Sequence, residues 1–423
     1  MNRYTLLSAL FILAGNNISA QDHQTDERST ENQYNPELGY FQKAYTDLGD
    51  PRFMYGKDDF AIGIGGTIRA SAYFDFFGSP SGNAPKFSAS HLSIPSDEAN
   101  KFGLSASSSE LHIKARSKLG THNIIAYVKF FANDEEVIKL SQAYVSLDGL
   151  TIGKVYSFFM DLEAGARTVD LKGPNTQVDM GQPLIGYTLP LGKNWTLGLS
   201  AEKPEWNTDT MKDLGVESDN QSMPDFVGKA KYKWDGGHVQ AAGLIRNLSY
   251  WQHEKGTVKV DEGETKHKIG WGASLSGSLK LSNRLKTSAQ LYYGKGISRY
   301  INDISNLDID MGATDWNDQT LSYDSMEPVA VGGGYIAGSY QWSRSLSSNM
   351  IIGWVRAYKD DEMLLNNNFK YSTYSALNLF WAIDDYCSIG LEYTNGARKD
   401  FQFMDEECRG EGNRINATFI YQF

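Results

Sequence analysis

The stretch FAIGIGGTIRASAYFDFF, residues 60–77, alternates between two kinds of side chain. One parity carries Ile62, Ile64 and Ile68 together with small residues, and the other carries Arg69 and several hydroxyl groups. Because alternate side chains of a β-strand point to opposite faces, the stretch predicts a strand with one apolar and one polar face. A soluble sheet would bury the apolar face, whereas a membrane barrel would turn it toward lipid.

The bulk composition narrows the partners and the redox chemistry. With 423 residues the chain is long enough for several soluble domains or for one large barrel. A net charge of −11 without a basic stripe excludes nucleic acid as a predicted partner. The pattern places Cys387 and Cys408 at opposite ends of one hairpin, and since bridged Cα atoms lie within about 7 Å, we expect no disulfide. We also predict no cofactor and no metal site.

The first residues have the organisation of a secretory signal. Residues 1–20, MNRYTLLSALFILAGNNISA, place Arg3 before the apolar run Leu6–Ala14, so we predict cleavage after Ala20. Residues 21–56 are polar and show no sustained periodicity, which predicts a periplasmic extension. Beyond the signal, no apolar run approaches the roughly 20 residues that a membrane helix needs. An exported protein of this kind is either soluble outside the cytoplasm or a β-barrel.

Alternation with a period of two recurs about sixteen times from residue 60 onward. Tight connections such as LGTH and PLGK alternate with longer polar ones such as 76–107 and 297–327. Short turns at one end and long loops at the other are typical of outer-membrane barrels, with the turns on the periplasmic side. The candidate strands span residues 60–75, 108–119, 122–132, 138–148, 149–157, 181–190, 193–202, 224–234, 237–247, 268–281, 284–296, 328–343, 346–359, 367–381, 386–397 and 412–423.

Aromatic residues support the barrel interpretation at two places. Four tryptophans lie beside the short turns, where interfacial aromatic belts occur; they are Trp195, Trp234, Trp342 and Trp381. The alternative is that they are core residues next to turns. The chain ends RINATFIYQF, whose terminal aromatic residues resemble the signal that the barrel-assembly machinery recognises, although soluble strands also end in aromatics. These residues are Phe419, Tyr421 and Phe423.

The sequence therefore predicts an all-β transmembrane antiparallel barrel of about sixteen strands over residues 57–423, in the outer membrane of a Gram-negative bacterium. The apolar row of each strand then meets the lipid bilayer, and the polar row lines water. By this parity the inward face is basic, which favours small, hydrophilic, anionic solutes diffusing passively. Some of these cations are alternatively rim residues or partners of loop acids. The predicted inward cations are Arg69, Lys114, Arg116, Lys118, Lys129, Lys229, Lys231, Lys233, Arg246, Lys280, Lys286, Arg356 and Arg414.

The segment 157–180 is the third connection on the long-loop side of the predicted barrel. In trimeric general porins the third such loop folds inward and narrows the channel, so we predict a constriction that sorts solutes by size and charge. The alternative is an ordinary surface loop with solvated charges. The predicted constriction residues are Asp161, Glu163, Arg167, Asp170 and Lys172.

Three segments resemble DcaP-like trimeric porins. They are GKDDFAIGIGGTIRASAYFDF (56–76), SQAYVSLDGLTIGK (141–154) and GKVYSFFMDLEAGARTVDLKGPN (153–175). The resemblance implies a sixteen-stranded homotrimeric diffusion channel that favours small anionic organic solutes in some members. By position in the third motif it implies loop roles for the four charged residues Asp161, Arg167, Asp170 and Lys172. Residues 21–56 depart from the family pattern because they lack a coiled-coil periplasmic segment.

Three other functions are alternatives to a diffusion channel. A hydrolase would need a nucleophile beside one of the 7 histidines, and no such motif occurs. An adhesin or glycan-binding β-protein would suit acidic loops and exposed aromatics. An active transporter would need an internal domain, and only about 40 residues precede the first strand. Detergent dependence separates a membrane barrel from a soluble binding protein.

Overall fold

The computed structural model describes most of the chain beyond residue 52. The predicted signal segment 1–20 and residues 21–52 of the predicted extension lie outside the described residues. Among the residues described, no helix is long and apolar enough to cross a bilayer. The described residues are 53–57, 60–80, 86–96, 100–133, 137–206, 213–253, 263–365, 367–401 and 408–423.

The described elements are β-strands and short 3-10 turns. The strands are β1 (Phe53–Lys57), β2 (Phe60–Phe77), β3 (Lys101–Ser105), β4 (Glu110–Leu119), β5 (His122–Ala132), β6 (Ile138–Leu147), β7 (Leu150–Tyr156), β8 (Gly181–Leu191), β9 (Trp195–Glu202), β10 (Val216–Ser218), β11 (Asp225–Trp234), β12 (Gly237–His253), β13 (Gly263–Lys280), β14 (Leu285–Lys295), β15 (Met311–Asn317), β16 (Ser322–Pro328), β17 (Ala330–Gln341), β18 (Leu346–Tyr358), β19 (Phe369–Ala382), β20 (Cys387–Asp400) and β21 (Arg409–Gln422).

Sixteen of these strands close into one antiparallel barrel. The ring runs through β2, β4–β9, β11–β14 and β17–β21, and β21 pairs back to β2 with Ala70 opposite Phe419. Closure satisfies the backbone of every spanning strand, which a sheet in hydrocarbon requires because lipid offers no hydrogen-bond partner. The predicted fold class is confirmed, and each of the sixteen candidate strands coincides with one strand of the ring.

The two parities of the barrel strands face as the sequence predicts. Ile68 and Leu275 lie on the outside with 54% and 56% of their surface exposed. Their chain neighbours Arg69 and Ser274 point inward with 3% and 8% exposed. The apolar row is therefore the outer face that meets lipid, and the polar row is the inner face.

The two ends of the barrel differ in their connections. The four tryptophans beside the short turns are all exposed on the outer face, as a periplasmic aromatic belt requires. Trp195 packs against Tyr232, with ring centres 4.9 Å apart, and Trp342 packs against Tyr340 at 4.6 Å. At the opposite end, β12 and β13 extend beyond their predicted limits, and β15 and β16 form a separate hairpin within a segment predicted as a loop. Polar residues on both faces of these extensions hide the alternation.

The terminal strand is joined to the first barrel strand by its last residue. The backbone of Phe423 exchanges two hydrogen bonds with Gly66, at 2.9 and 3.0 Å. A Cβ on Gly66 would lie 2.8 Å from the ring of Phe423, and one on Gly65 would lie 2.6 Å from Nε2 of His112. The glycines thus leave room for side chains of this same chain.

Short strands complete the sheet around β2. β1 pairs with the start of β2, with Phe53 opposite Ile64, so the last residues of the predicted extension are a strand. β3 pairs with the other half of β2, and β10 pairs with β12. Cys387 opens β20 and Cys408 immediately precedes β21, which places the two free thiols at opposite ends of one hairpin.

Candidate functional site

The segment 157–180, which connects β7 to β8, lies inside the barrel. Its apolar residues are buried, with Phe159 and Ala164 fully inaccessible and Val169 1% exposed. Phe159 packs with inward residues of the wall such as Leu184 and Val227, and Val169 packs with Phe380 and Ile420. The segment is therefore a second layer against the inner wall, and it narrows the space that the ring of strands encloses.

Hydrogen bonds hold this segment along the wall from β9 to β20. Wall side chains accept from its amides or donate to its carbonyls. These pairs are the Phe158 amide to Glu202 (3.0 Å), Gln240 Nε2 to the Met160 carbonyl (2.9 Å), the Val178 amide to Gln290 (2.8 Å) and Asn378 Nδ2 to the Arg167 carbonyl (2.9 Å). Polar side chains of the wall are therefore the hydrogen-bond partners that hold the backbone of the segment.

Asp161 anchors the beginning of the segment. Its carboxylate lies 2.8 Å from Nε2 of His238 and 2.8 Å from Nζ of Lys231, and it accepts from Oγ of Ser276 at 2.7 Å. Burial alone would raise the pKa of Asp161, but the bond from His238 and the charge of Lys231 hold that pKa well below its usual range. His238 also contacts Ser278, at 3.0 Å, and the whole group is buried beneath the segment.

Glu392 of β20 holds the middle of the segment. Its carboxylate accepts from the amides of Val169 and Asp170, each at 2.8 Å, and from Nδ2 of Asn378 at 2.8 Å. The carboxylate of Asp170 in turn accepts from the amide of Phe87 at 3.0 Å. Burial raises the pKa of Asp170, although the amide of Phe87 donates to its carboxylate.

Two further segments fold inward, which the sequence analysis missed. Residues 86–96 bury Phe87 and Leu92, and residues 297–310 bury Ile304 completely. Both lie within stretches predicted as long external loops. A signal was present in the second stretch, because its apolar residues recur every one to three positions. They are Ile297, Tyr300, Ile301, Ile304, Leu307 and Ile309, each at most 6% exposed.

Asp303 joins the three inward segments to one another and to the wall. Its carboxylate accepts from Ser88 Oγ (2.8 Å) and the Ser90 amide (2.9 Å) of the first segment, and from Asn175 Nδ2 (3.2 Å) of segment 157–180. It also accepts from Ser372 Oγ of β19 at 2.7 Å. One buried carboxylate therefore fixes the relative position of segments distant in sequence.

Most predicted pore-lining cations farther from the periplasmic turns face inward but are buried or have partners there. Arg246 is 1% exposed and lies between Asp225 (3.0 Å) and Asp310 (2.8 Å). Lys129 pairs with Glu110 (2.6 Å), and Lys231 pairs with Asp161 (2.8 Å). Lys229 Nζ lies 3.9 Å from the ring centre of Phe158, and Arg69 Nη1 donates to the Val169 carbonyl at 3.3 Å. Lys114 is buried, with 2% of its surface exposed. These side chains hold the wall and the inward segments together.

The inward cations near the periplasmic turns are more accessible. Arg116 and Lys118 of β4 are exposed, and Lys233 of β11 has half of its side chain exposed. Lys280 and Lys286 are half-buried beside the turn between β13 and β14. In the described barrel strands, no acidic residue faces inward next to these turns. The periplasmic mouth of the interior is therefore basic.

Arg356 faces outward, contrary to the prediction that it lines the pore. On β18 the inward row contains Ile351 and Val355, which are fully buried, and the outward row contains Ile352 and Trp354 with Arg356. Both rows of this strand are apolar, because the inward row packs against inward segments. The alternation that identifies the inward face is therefore lost on β18.

The predicted constriction residues divide between anchors and interior surface. Asp161 and Asp170 are buried anchors, and Glu163 pairs with Lys233 at 2.7 Å. The guanidinium of Arg167 lies 3.7 Å from the ring centre of Phe380. Lys172 is half-buried, with Nζ 3.4 Å from Ser88 Oγ.

A closed sixteen-stranded barrel with an apolar outer face and a polar interior narrowed by inward segments defines an outer-membrane porin. The model of the DcaP outer membrane protein family matches residues 26–423, and the chain belongs to that family. It is thus an outer-membrane porin of a Gram-negative bacterium.

Solved structures share the fold. The outer membrane channel DcaP of Acinetobacter baumannii is 18% identical, with a TM-score of 0.71 over 89% of this chain and 100% of that one. An anion-selective porin from Comamonas acidovorans is 10% identical, with a TM-score of 0.53 over 86% and 100%. The trimer form of OmpT of Vibrio cholerae is 10% identical, with a TM-score of 0.51 over 86% and 100%. No curated protein matches the sequence.

Proposed function

We propose that this porin is a passive diffusion channel that prefers small, hydrophilic, anionic solutes. The observation that carries the proposal is the basic periplasmic mouth: accessible cations face inward there, and the described strand residues next to the turns include no inward acid, although Glu163 of segment 157–180 pairs with Lys233. A ring of lysine and arginine side chains at a pore mouth attracts anions and repels cations. Most cations deeper in the barrel are buried or paired, so the mouth supplies much of the accessible positive field.

The inward segments supply the size limit in this proposal. Segment 157–180 is tied to the wall at several points and is braced by residues 86–96 and 297–310. A layer fixed by buried carboxylates holds one shape, so solutes are sorted by dimension at that depth. The proposed function includes no catalytic step and no cofactor. Asp161, His238 and Ser278 are enclosed between the segment and the wall, and their contacts anchor the segment.

The same channel is proposed to act as a homotrimer. Lys154 of β7 lies on the outer face only four residues beyond Leu150, where the strand begins, and its Nζ donates to the Leu140 carbonyl at 2.8 Å. A lysine facing lipid near mid-depth costs about 2–4 kcal/mol, so this part of the wall suits contact with another subunit. One structural neighbour, OmpT of Vibrio cholerae, is described in a trimer form.

Export and assembly follow from the chain ends in this proposal. Residues 1–20 act as a cleaved signal peptide, and residues 21–52 form a periplasmic extension. The outward aromatic residues Phe419 and Tyr421, with Phe423, act as the signal for the barrel-assembly machinery. Phe423 lies where β21 meets β2, so the same residue helps to close the ring.

The proposal is tested with the full-length protein in planar bilayers under a gradient of potassium chloride. The reversal potential should show anion preference, and the triple variant R116Q/K118Q/K233Q should shift it toward zero. A matched variant, K193Q/R284Q/R344Q, removes three charges from the exposed turns outside the lumen and should leave the potential unchanged. Cation preference in the native protein, or equal shifts in the two variants, would contradict the proposal. Dicarboxylates should then permeate faster than neutral sugars of similar size.

A further inference from the structure

The outer surface of β14, β17 and β18 carries cations near the extracellular ends of the strands. Lys295 and Arg356 point outward there, on a face whose neighbours are apolar or aromatic. Beside them lie Tyr293 and Tyr358, which are 47% and 44% exposed. These four residues are named the outer basic patch.

The height of the outer basic patch matches the outer membrane interface. Lys295 lies ten residues after Leu285, where β14 begins, and Arg356 lies ten residues after Leu346, where β18 begins. At about 3.3 Å per residue and a strand tilt of about 40°, ten residues rise about 25 Å above the periplasmic turns. The apolar band of such barrels is also about 25 Å tall, so both cations reach the level of the outer-leaflet headgroups.

The strand register brings the outer basic patch together across one intervening strand. Lys295 and Tyr358 both lie opposite Ala330 of β17, and Tyr293 and Arg356 both lie opposite Gly332. Two strand spacings of about 4.8 Å separate β14 from β18, so the two cations face a shared surface about 10 Å wide. Long lysine and arginine side chains span that distance, and a single anionic headgroup can contact both.

The floor of this surface is shallow and aromatic. The rings of Tyr293 and Tyr358 meet edge to face with centres 6.4 Å apart, above the small residues of β17. A Cβ on Gly332 would lie 3.0 Å from Cδ2 of Tyr293, so a larger residue there would require the ring to shift by a few tenths of an ångström. The guanidinium of Arg356 lies 4.9 Å from the ring centre of Tyr358, which orients the guanidinium while leaving its edge available.

The outer basic patch differs from the cations inside the barrel. Within the described part of the chain, neither Lys295 nor Arg356 has a carboxylate partner or a side-chain hydrogen bond. Two cations without carboxylate partners at the headgroup level attract an anionic headgroup. In a Gram-negative outer membrane the outer leaflet supplies one, because lipopolysaccharide carries phosphates on its sugar headgroup.

We propose that the outer basic patch binds the phosphorylated sugar headgroup of lipopolysaccharide. Arg356 and Lys295 contact phosphate oxygens, and the tyrosine pair supports the sugar ring at the edge of the apolar band. The acyl chains of the lipid then lie along the apolar rows below. The porin thereby holds one lipid of the outer leaflet in a fixed position on its wall.

The experiment measures lipid binding to the full-length protein in detergent by native mass spectrometry. The probes are bisphosphorylated lipid A, the same lipid A with its phosphates removed, and inorganic phosphate. Native protein should bind bisphosphorylated lipid A, and K295Q/R356Q should bind it at least about tenfold more weakly, because two charge-assisted contacts are lost. The control K193Q/R344Q removes the same charge at the periplasmic turns and should bind as the native protein does.

Two measurements on the native protein, with dephosphorylated lipid A and with inorganic phosphate, test the same proposal. Dephosphorylated lipid A should bind the native protein as weakly as lipid A binds K295Q/R356Q. Millimolar inorganic phosphate should not displace lipid A, which distinguishes a lipid headgroup from a free anion. Equal affinity for the two forms of lipid A would overturn the proposal, as would a change of oligomeric state in K295Q/R356Q with lipid binding intact. Conductance of K295Q/R356Q should stay native, so the result is independent of the proposed selectivity.

Discussion

The part of the inner wall that the inward segments cover and the open periplasmic end carry the same residue types in opposite circumstances. Beneath the segments, Arg246 and Lys231 are held by acidic partners. Near the turns, Arg116 and Lys118 point into the same barrel and are exposed. Pointing inward is therefore not the same as lining water, because the inward segments convert part of the wall into a second core.

The largest difference between the two regions should appear in stability. Arg246→Ala removes the cation of the buried Asp310 and the nearer cation of Asp225, which keeps Arg299 at 3.9 Å. Removing one partner of a buried pair costs about 3–5 kcal/mol. Urea unfolding of the protein in lipid, followed by tryptophan fluorescence, should show that loss in the free energy of unfolding.

The matched variant for this measurement is Arg116→Ala. It removes the same side chain from the exposed mouth and should change the free energy of unfolding by less than about 0.5 kcal/mol. Equal losses in the two variants would mean that the two regions do not differ as described.

The second effect concerns the anchor of segment 157–180. Asp161→Asn keeps the shape of the side chain but removes the charge that His238 and Lys231 share, which should weaken the anchor by about 1–3 kcal/mol. Single-channel recordings should then show larger current fluctuations, because the start of the segment leaves the wall more often.

Asp148→Asn is the control for the anchor. Asp148 is an exposed partner of His122 at a periplasmic turn, so its removal should leave the open-channel current quiet. An anchor variant as quiet as this control would show that segment 157–180 is held by its other contacts alone.

The strands were predictable because lipid and interior impose opposite demands on alternate residues. In β2 and β13 the outer row is apolar and the inner row polar, and the sequence alone identified both strands and both faces. The alternation of apolar and polar residues disappeared where the outer face left the lipid or where the inner face met buried segments. β12 and β13 continue beyond the apolar band, and on β18 the inward row is apolar because it meets buried segments.

The interior was less predictable because its contacts join residues far apart in sequence. Asp303 bonds with Ser88 and Asn175, and nothing local marks any of the three as a partner of the others. Parity identified Arg246 as inward but could not show that residues 297–310 cover it. The position of segment 157–180 in the order of loops predicted that it folds inward. The partners of its charged residues could be identified only from the structure.

A smaller contrast lies within one strand, β11. Lys231 and Lys233 both contact Glu163, but their side chains are 13% and 50% exposed. Lys231→Gln removes a buried partner of Asp161 and should cost about 1 kcal/mol in unfolding, with less effect on selectivity. Lys233→Gln should cost less than about 0.5 kcal/mol and should lower the anion preference in the reversal potential. The opposite assignment of the two effects would contradict the distinction between wall and mouth.

The smallest expected effect is a null result on acidification. Burial opposes ionisation of Asp161 and Glu163, yet nearby cations and hydrogen bonds hold the pKa of each below its ordinary value. A carboxylate with a lowered pKa in the folded state contributes its full stability above its unfolded pKa of about 4 and loses it only as the pH falls further. Between pH 7 and pH 5 these two carboxylates should therefore stay charged, and D161N should be noisier than the native channel at both values. A native channel as noisy at pH 5 as D161N would contradict this prediction.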